Sequence, residues 1–85
     1  MSYEVRLARS AEREFRVLPS EVAGRVTRAL ERLQENPRPR GARKLVHGPG
    51  WRLRVGSFRV LYTIDDAAAT VTVFAIGHRR DVYRH

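Results

Sequence analysis

The sequence predicts a single α+β domain over residues 1–85, with a small antiparallel sheet of about four strands packed on an amino-terminal antiparallel helix hairpin. Three observations predict it. An apolar stripe at helical spacing runs from Val22 to Leu33, a Gly56-Ser57 pair separates two strand-like segments, and the chain has only 85 residues. A chain of that size buries about 60–65% of its extended surface, enough for one modest core without a disulfide or metal.

Tyr3, Val5 and Leu7 alternate with Glu4, Arg6 and Ala8, the period-two pattern of a half-buried strand over 2–8. Ser10 is placed to N-cap a helix in which Ala11, Phe15 and Leu18 fall at helical spacing before Pro19 stops the turn. Ser20 is placed to cap a second helix. Its Val22, Val26, Ala29, Leu30 and Leu33 lie at i, i+4, i+7, i+8 and i+11, and Asn36-Pro37 ends it. With so short a connection the helices form a hairpin across a sheet, and Glu12 with Arg16 and Glu21 with Arg25 read as solvated i, i+4 pairs on their outer faces.

Pro37 to Gly41 is a short connector, and from Lys44 onward the texture is that of strands. Leu45–His47 reads as a brief strand, and Gly48-Pro49-Gly50 turns the chain into Trp51–Val55. Gly56-Ser57 has the composition of a two-residue type II′ turn leading into Phe58–Ile64. Asp65 to Ala69 makes a looser turn, Val71–Ile76 is the last strand, and Gly77 to His85 is a polar tail. Trp51 reads as sheet cover, His47 as a loop residue and Asp65-Asp66 as a turn-forming pair.

Absence of cysteine excludes disulfides and thiolate zinc sites, and His47, His78 and His85 show no metal-ligand spacing, so no metal or cofactor is expected. The start MSYEVRLARS has no apolar signal region and no stretch approaches a membrane span of about 18 apolar residues, so a soluble, cytoplasmic protein is expected. Seventeen basic against nine acidic residues give +8 and a pI near 11.4. Such a balance favours a polyanionic partner: nucleic acid first, an acidic protein second, anionic lipid third. Every basic residue except Lys44 is arginine, a bias that codon usage or selection for a forked phosphate donor would equally produce. Residues 1–42 carry +3 and residues 43–85 carry +5.

The type II′ turn forces a register. If Val55 faces Phe58, Arg54 stands opposite Arg59, Leu53 opposite Val60 and Trp51 opposite Tyr62. Arg52 shares the face of Arg54, so three guanidinium groups form a patch behind which Trp51, Leu53, Phe58, Val60 and Tyr62 face the helices. The last strand runs back beside Phe58–Ile64 and delivers His78, Arg79, Arg80, Asp81 and Tyr83 next to that patch. A charged solvent face is one reading. The other is an anion held between Arg52, Arg54, Arg59 and Arg79, a phosphodiester above all, with Tyr83 as a ring on which an unpaired base stacks.

The order strand, helix hairpin, RLRVGSFRVLYTIDD and VTVFAIGHRRDVYR resembles the RelE family of bacterial and archaeal toxins over essentially the whole chain. The resemblance implies a RelE-like fold, cleavage of messenger RNA in the ribosomal A site without a metal, and a cognate RelB-like antitoxin beside ribosome and mRNA as partners. In that chemistry the 2′-hydroxyl attacks the adjacent phosphate, leaving a 2′,3′-cyclic phosphate and a 5′-hydroxyl. It implies catalytic positions at Arg52, Arg54, Arg59, Arg79 and Tyr83. Beside it, Arg43, Lys44, Arg80 and Arg84 are candidate contacts to RNA or ribosome by charge, with simple solvation an equal reading for Arg80 and Arg84. Familiar members carry lysine at the first two positions. Arginine stays protonated, so Arg54 acts electrostatically, and His78 is the most economical general base, with Tyr83 and Asp81 behind it. Two alternatives stand beside this reading: the related ParE toxins, which poison DNA gyrase, and a non-catalytic basic RNA-binding module.

Overall fold

The computed structural model describes residues 2–78. Strand β1 (Glu4–Leu7) is followed by helices α1 (Arg9–Arg16) and α2 (Ser20–Glu35), and then by β2 (Arg43–Lys44), β3 (Trp51–Val55), β4 (Phe58–Asp65) and β5 (Thr70–His78). The α+β class and the helices-then-hairpins order are as expected. The sheet has five strands rather than about four, in the order β1-β5-β4-β3-β2, and it is mixed because β1 pairs parallel to β5. Alternation in β1 marks a half-buried strand but carries no information about a partner more than 60 residues away in the chain.

Both helices lie on one face of the sheet, α1 along β5 and β1, α2 across β1 and β3. The stripe on α2 does what its spacing predicts: Val26, Ala29 and Leu33 are buried with Ala11 of α1 against Leu53, Val60, Tyr62, Val71, Val73 and Ile76. Three local expectations are corrected. Neither serine caps its helix: Ala8 and Pro19 hold the N-cap positions, and the Pro19 carbonyl accepts the first bond of α2 from the Ala23 N–H at 2.8 Å. The Ser10 hydroxyl instead donates to the Phe74 carbonyl at 2.9 Å, and Glu14, one turn later, accepts the Ile76 N–H at 2.9 Å. These bonds continue the edge of β5 past the point where β1 ends, because β1 pairs only as far as Leu7 with Val73. The brief strand sits at Arg43–Lys44 rather than at 45–47, since Leu45 turns away to pack with Phe74, Leu61 and Ala75.

Residues of the 37–41 connector tie down the far end of the sheet. The buried Tyr62 hydroxyl donates to the Pro37 carbonyl at 2.8 Å, and burial pushes its pKa up to about 12. Asp66, in the β4–β5 turn, accepts from Arg38 Nη2 at 2.8 Å and Nη1 at 3.2 Å and from the Tyr3 hydroxyl at 2.7 Å. Arg38 also lies 5.4 Å from the centroid of the Trp51 ring. One carboxylate thus links the residue that leads into β1, the connector and the β4–β5 turn.

The Arg38 guanidinium, and after it the Tyr3 hydroxyl, hold the Asp66 carboxyl at about 2 against an ordinary 3.8. Because the folded-state value is the lower one, the added stability is present above about pH 4 and is lost as the pH falls toward 2. Thermal melts of wild type and Asp66→Asn will differ most near neutrality, and the gap will close between about pH 5 and pH 2. A gap that stays constant with pH would show that Asp66 contributes only as a neutral hydrogen-bond acceptor.

Candidate nucleic-acid interface

The β3–β4 hairpin adopts the register read from its turn: Val55 faces Phe58, Arg54 faces Arg59, Leu53 faces Val60 and Trp51 faces Tyr62. Gly56 makes this possible, with a φ of +61° that an L side chain rarely adopts, while Ser57 keeps a negative φ as a type II′ turn requires. Arg54 and Arg59 form the pair next to the turn-closing one, a non-hydrogen-bonded position where Cα atoms approach to about 4.5 Å.

Pairing and alternation assign the faces. Arg52 stands opposite Leu61 and Arg43 opposite Arg52, so Arg43, Arg52, Arg54 and Arg59 occupy the side of the sheet away from the helices. Across from Arg59 on β5 is Gly77, which places no side chain over the guanidinium. Arg43 and Arg54 are exposed, Arg52 and Arg59 half-buried. The row is a rack of forked donors matched to an anion with several oxygens.

Two expected site residues fall elsewhere. Lys44 pairs with Trp51 and so takes the parity of the opposite face. His78 pairs with Phe58, with ring centroids 5.7 Å apart and planes at 80°, which sets the imidazole on the helix side of the sheet end, on the face opposite Arg43, Arg52, Arg54 and Arg59. Arg79, Arg80, Asp81, Tyr83 and Arg84 lie outside the described residues. Among the described residues no group of three His, Cys, Asp or Glu side chains could hold a metal ion, and no helix is long and apolar enough to cross a membrane.

Two features of the surface carry no signal in the sequence. A register shift at Leu61/Tyr62, where Leu61 pairs with Ala75 and Tyr62 with Val73, leaves Phe74 without an opposite residue. Phe74 therefore joins Leu45, Leu61 and Ala75 in a small apolar cluster beside Arg52. Gly50 admits this cluster, since a Cβ there would stand 2.8 Å from Leu45 Cδ1 and 3.2 Å from the Phe74 ring. The second is Arg25, whose guanidinium lies at Gly56 on the hairpin tip.

A family model described as the ParE toxin of the type II toxin–antitoxin system, parDE, matches residues 5–83, which takes in the arginine hairpin and most of the closing segment. The chain belongs to this toxin family, within the RelE/ParE superfamily. Toxin RelG of Mycobacterium tuberculosis is 34% identical to it over 87 residues, covering 99% of each. A chain of the RelBE2 toxin–antitoxin complex of Mycobacterium tuberculosis superposes with a TM-score of 0.83 at 29% identity, over 93% of this chain and 100% of that one. The isolated RelE toxin of E. coli superposes with a TM-score of 0.81 at 26% identity, over 98% of this chain and 93% of that one. The fold of this toxin-family chain is therefore that of RelE.

Opposed arginines weaken the hairpin that carries them. Arg54→Thr will raise stability by about 0.2–1 kcal/mol, because it removes a like-charge cross-strand pair from a β-compatible exposed position. Denaturant midpoints of the two proteins measure this, and a less stable variant would show that Arg54 makes a favourable contact in the fold.

Proposed function

We propose that this toxin is a ribosome-dependent endoribonuclease that cleaves mRNA in the A site by attack of a 2′-hydroxyl on the adjacent phosphate, and that a RelB-like antitoxin neutralises it in the cytoplasm. The observation that carries the reading is the opposition of Arg54 to Arg59 on a face shared with Arg43 and Arg52. Like charges are set against each other there at a cost to the fold, and a phosphodiester between them reverses that cost. A pentacoordinate phosphate, with one more negative charge than the ground state, gains most from donors already in place.

In this reading Arg59 and Arg54 stabilise the phosphorane and Arg52 holds the neighbouring backbone. Arg79 adds a fourth guanidinium, while Tyr83 stacks on a base or passes a proton. Arg43, Arg80 and Arg84 hold the surrounding RNA, to which Lys44 contributes charge from the other side of the edge strand. With the His78 ring beside Phe58 on the far face, the proton from the 2′-hydroxyl goes to Tyr83 or Asp81 in preference to His78. The bond formed is O2′–P and the bond broken is P–O5′, with a proton delivered to the departing oxygen.

The name of the matched family favours a second reading, a ParE-type poison of DNA gyrase. The relatives named RelG, RelBE2 and RelE, and a row of donors suited to phosphate, favour the nuclease. Incubation of the purified toxin with programmed ribosomes will yield new 5′-hydroxyl ends inside A-site codons. Arg59→Ala will slow that cleavage by about 10²–10³-fold, as loss of a preorganised donor to transition-state charge does. Arg59→Ala and Tyr83→Ala will each restore growth of cells expressing the toxin. No cleavage by intact wild-type protein, together with inhibition of gyrase supercoiling, would replace the nuclease with the gyrase reading.

A further inference from the structure

The spacing of α2 pairs Arg25 with Glu21, yet among the described residues Arg25 makes no ion pair. Its guanidinium lies instead across the hairpin tip. A Cβ added at Gly56 would stand 3.1 Å from Arg25 Nη1, 3.6 Å from Cζ and 3.8 Å from Nη2, so the plate of the guanidinium lies over the space that the glycine leaves open. Gly56 is two residues from Arg54 and three from Arg59, and a strand advances about 3.3 Å per residue. Arg25 therefore sits at the tip of the hairpin that carries both.

Arg25 comes from the helix side of the sheet, whereas Arg54 and Arg59 project from the other side. The turn segment Val55-Gly56-Ser57-Phe58 between them contains no acid. A long, exposed side chain that could have met a carboxylate one turn away lies instead at the tip of the hairpin that carries two other cations. Charges gathered from both faces of a hairpin around a tip that has no bulk of its own suit an anion that passes over the tip and continues. A nucleic-acid backbone, with a phosphate every few ångströms, is such an anion.

We infer that Arg25 is an RNA-binding residue that extends the phosphate track of the β3–β4 arginines around the hairpin tip, holding a phosphate next to the one held by Arg54 and Arg59. The inference rests on the ribonuclease reading of that face. Arg25 binds RNA backbone without touching the reacting atoms, so its loss weakens association more than the chemical step.

The test is binding of the full-length toxin to ribosomes programmed with a message whose A-site codon carries 2′-deoxy sugars and cannot be cut, measured over a range of monovalent salt at fixed magnesium. Arg25→Gln will bind about 5–20-fold more weakly, and the slope of log affinity against log salt will become shallower by about 0.7–0.9, the signature of one lost phosphate contact. Arg25→Lys will recover most of the affinity, and the Tm of Arg25→Gln will stay within a degree or two of wild type. If Arg54→Gln weakens binding while Arg25→Gln binds with wild-type affinity and slope, the inference fails and the nuclease reading stands. A lower Tm with unchanged affinity would make Arg25 a cover for the turn and nothing more. Weaker capture of a RelB-like antitoxin with ribosome binding intact would assign the tip to the protein partner and overturn the RNA contact. If the wild-type toxin itself does not bind programmed ribosomes, both readings fall together.

Discussion

Two guanidinium groups face one another across β3 and β4 because a glycine at position 56 permits the tightest turn that joins two antiparallel strands. Most of what distinguishes this surface depends on that constraint. The turn leaves no freedom in register, so Arg54 and Arg59 cannot slip past one another, and alternation sends Arg52 to the same side while burying Leu53 and Val60 on the other. A core with Val60 and Tyr62 fully buried holds the ladder in place against the repulsion on its outer face. The cost of the charge arrangement is local, and the apolar packing that offsets it is spread across the domain.

The rest of the fold keeps that hairpin rigid and its outer face open. At one end of β5, α1 takes over from a strand that is too short, with Ser10 and Glu14 meeting backbone groups at Phe74 and Ile76. This use of Glu14 orders the segment of β5 that leads to Gly77, directly across from Arg59. At the other end, Asp66 gathers Arg38 and Tyr3 into one clasp. Both devices tie off the periphery with polar groups and leave the middle of the sheet to hydrophobic packing. The bulge at Phe74 adds an apolar shelf beside the arginine row without disturbing the paired residues near the tip.

Much of this was legible in the chain, and the boundary between what was and was not follows the range of the interactions. The stripe from Val22 to Leu33 and the Gly56-Ser57 turn act over a few residues, and the buried set and hairpin register they predicted are those found. Ser10 and Ser20 resemble caps in the sequence because a serine before an apolar stripe looks the same whether its hydroxyl serves its own helix or a strand 64 residues away, as Ser10 does. The i, i+4 spacing of Glu21 and Arg25 was a fair local signal, but Arg25 lies against a turn more than 30 residues further along. His78 suggests a base by residue type and by its place beside Arg79 in the chain. The side of the sheet it occupies is a property of the β4–β5 register, which the loose Asp65 to Ala69 turn did not specify.

By itself, then, the sequence determined the class of fold, the arginine-bearing hairpin and its register, because turn chemistry and hydrophobic period are settled by near neighbours. Only the tertiary structure decided that β1 lies parallel to β5, that Phe74 bulges out beside Arg52, that Asp66 binds Arg38 and that Arg25 reaches the hairpin tip. Each of those joins segments distant along the chain. Such pairings are chosen by how whole elements pack together, and residue spacing within one element does not encode them.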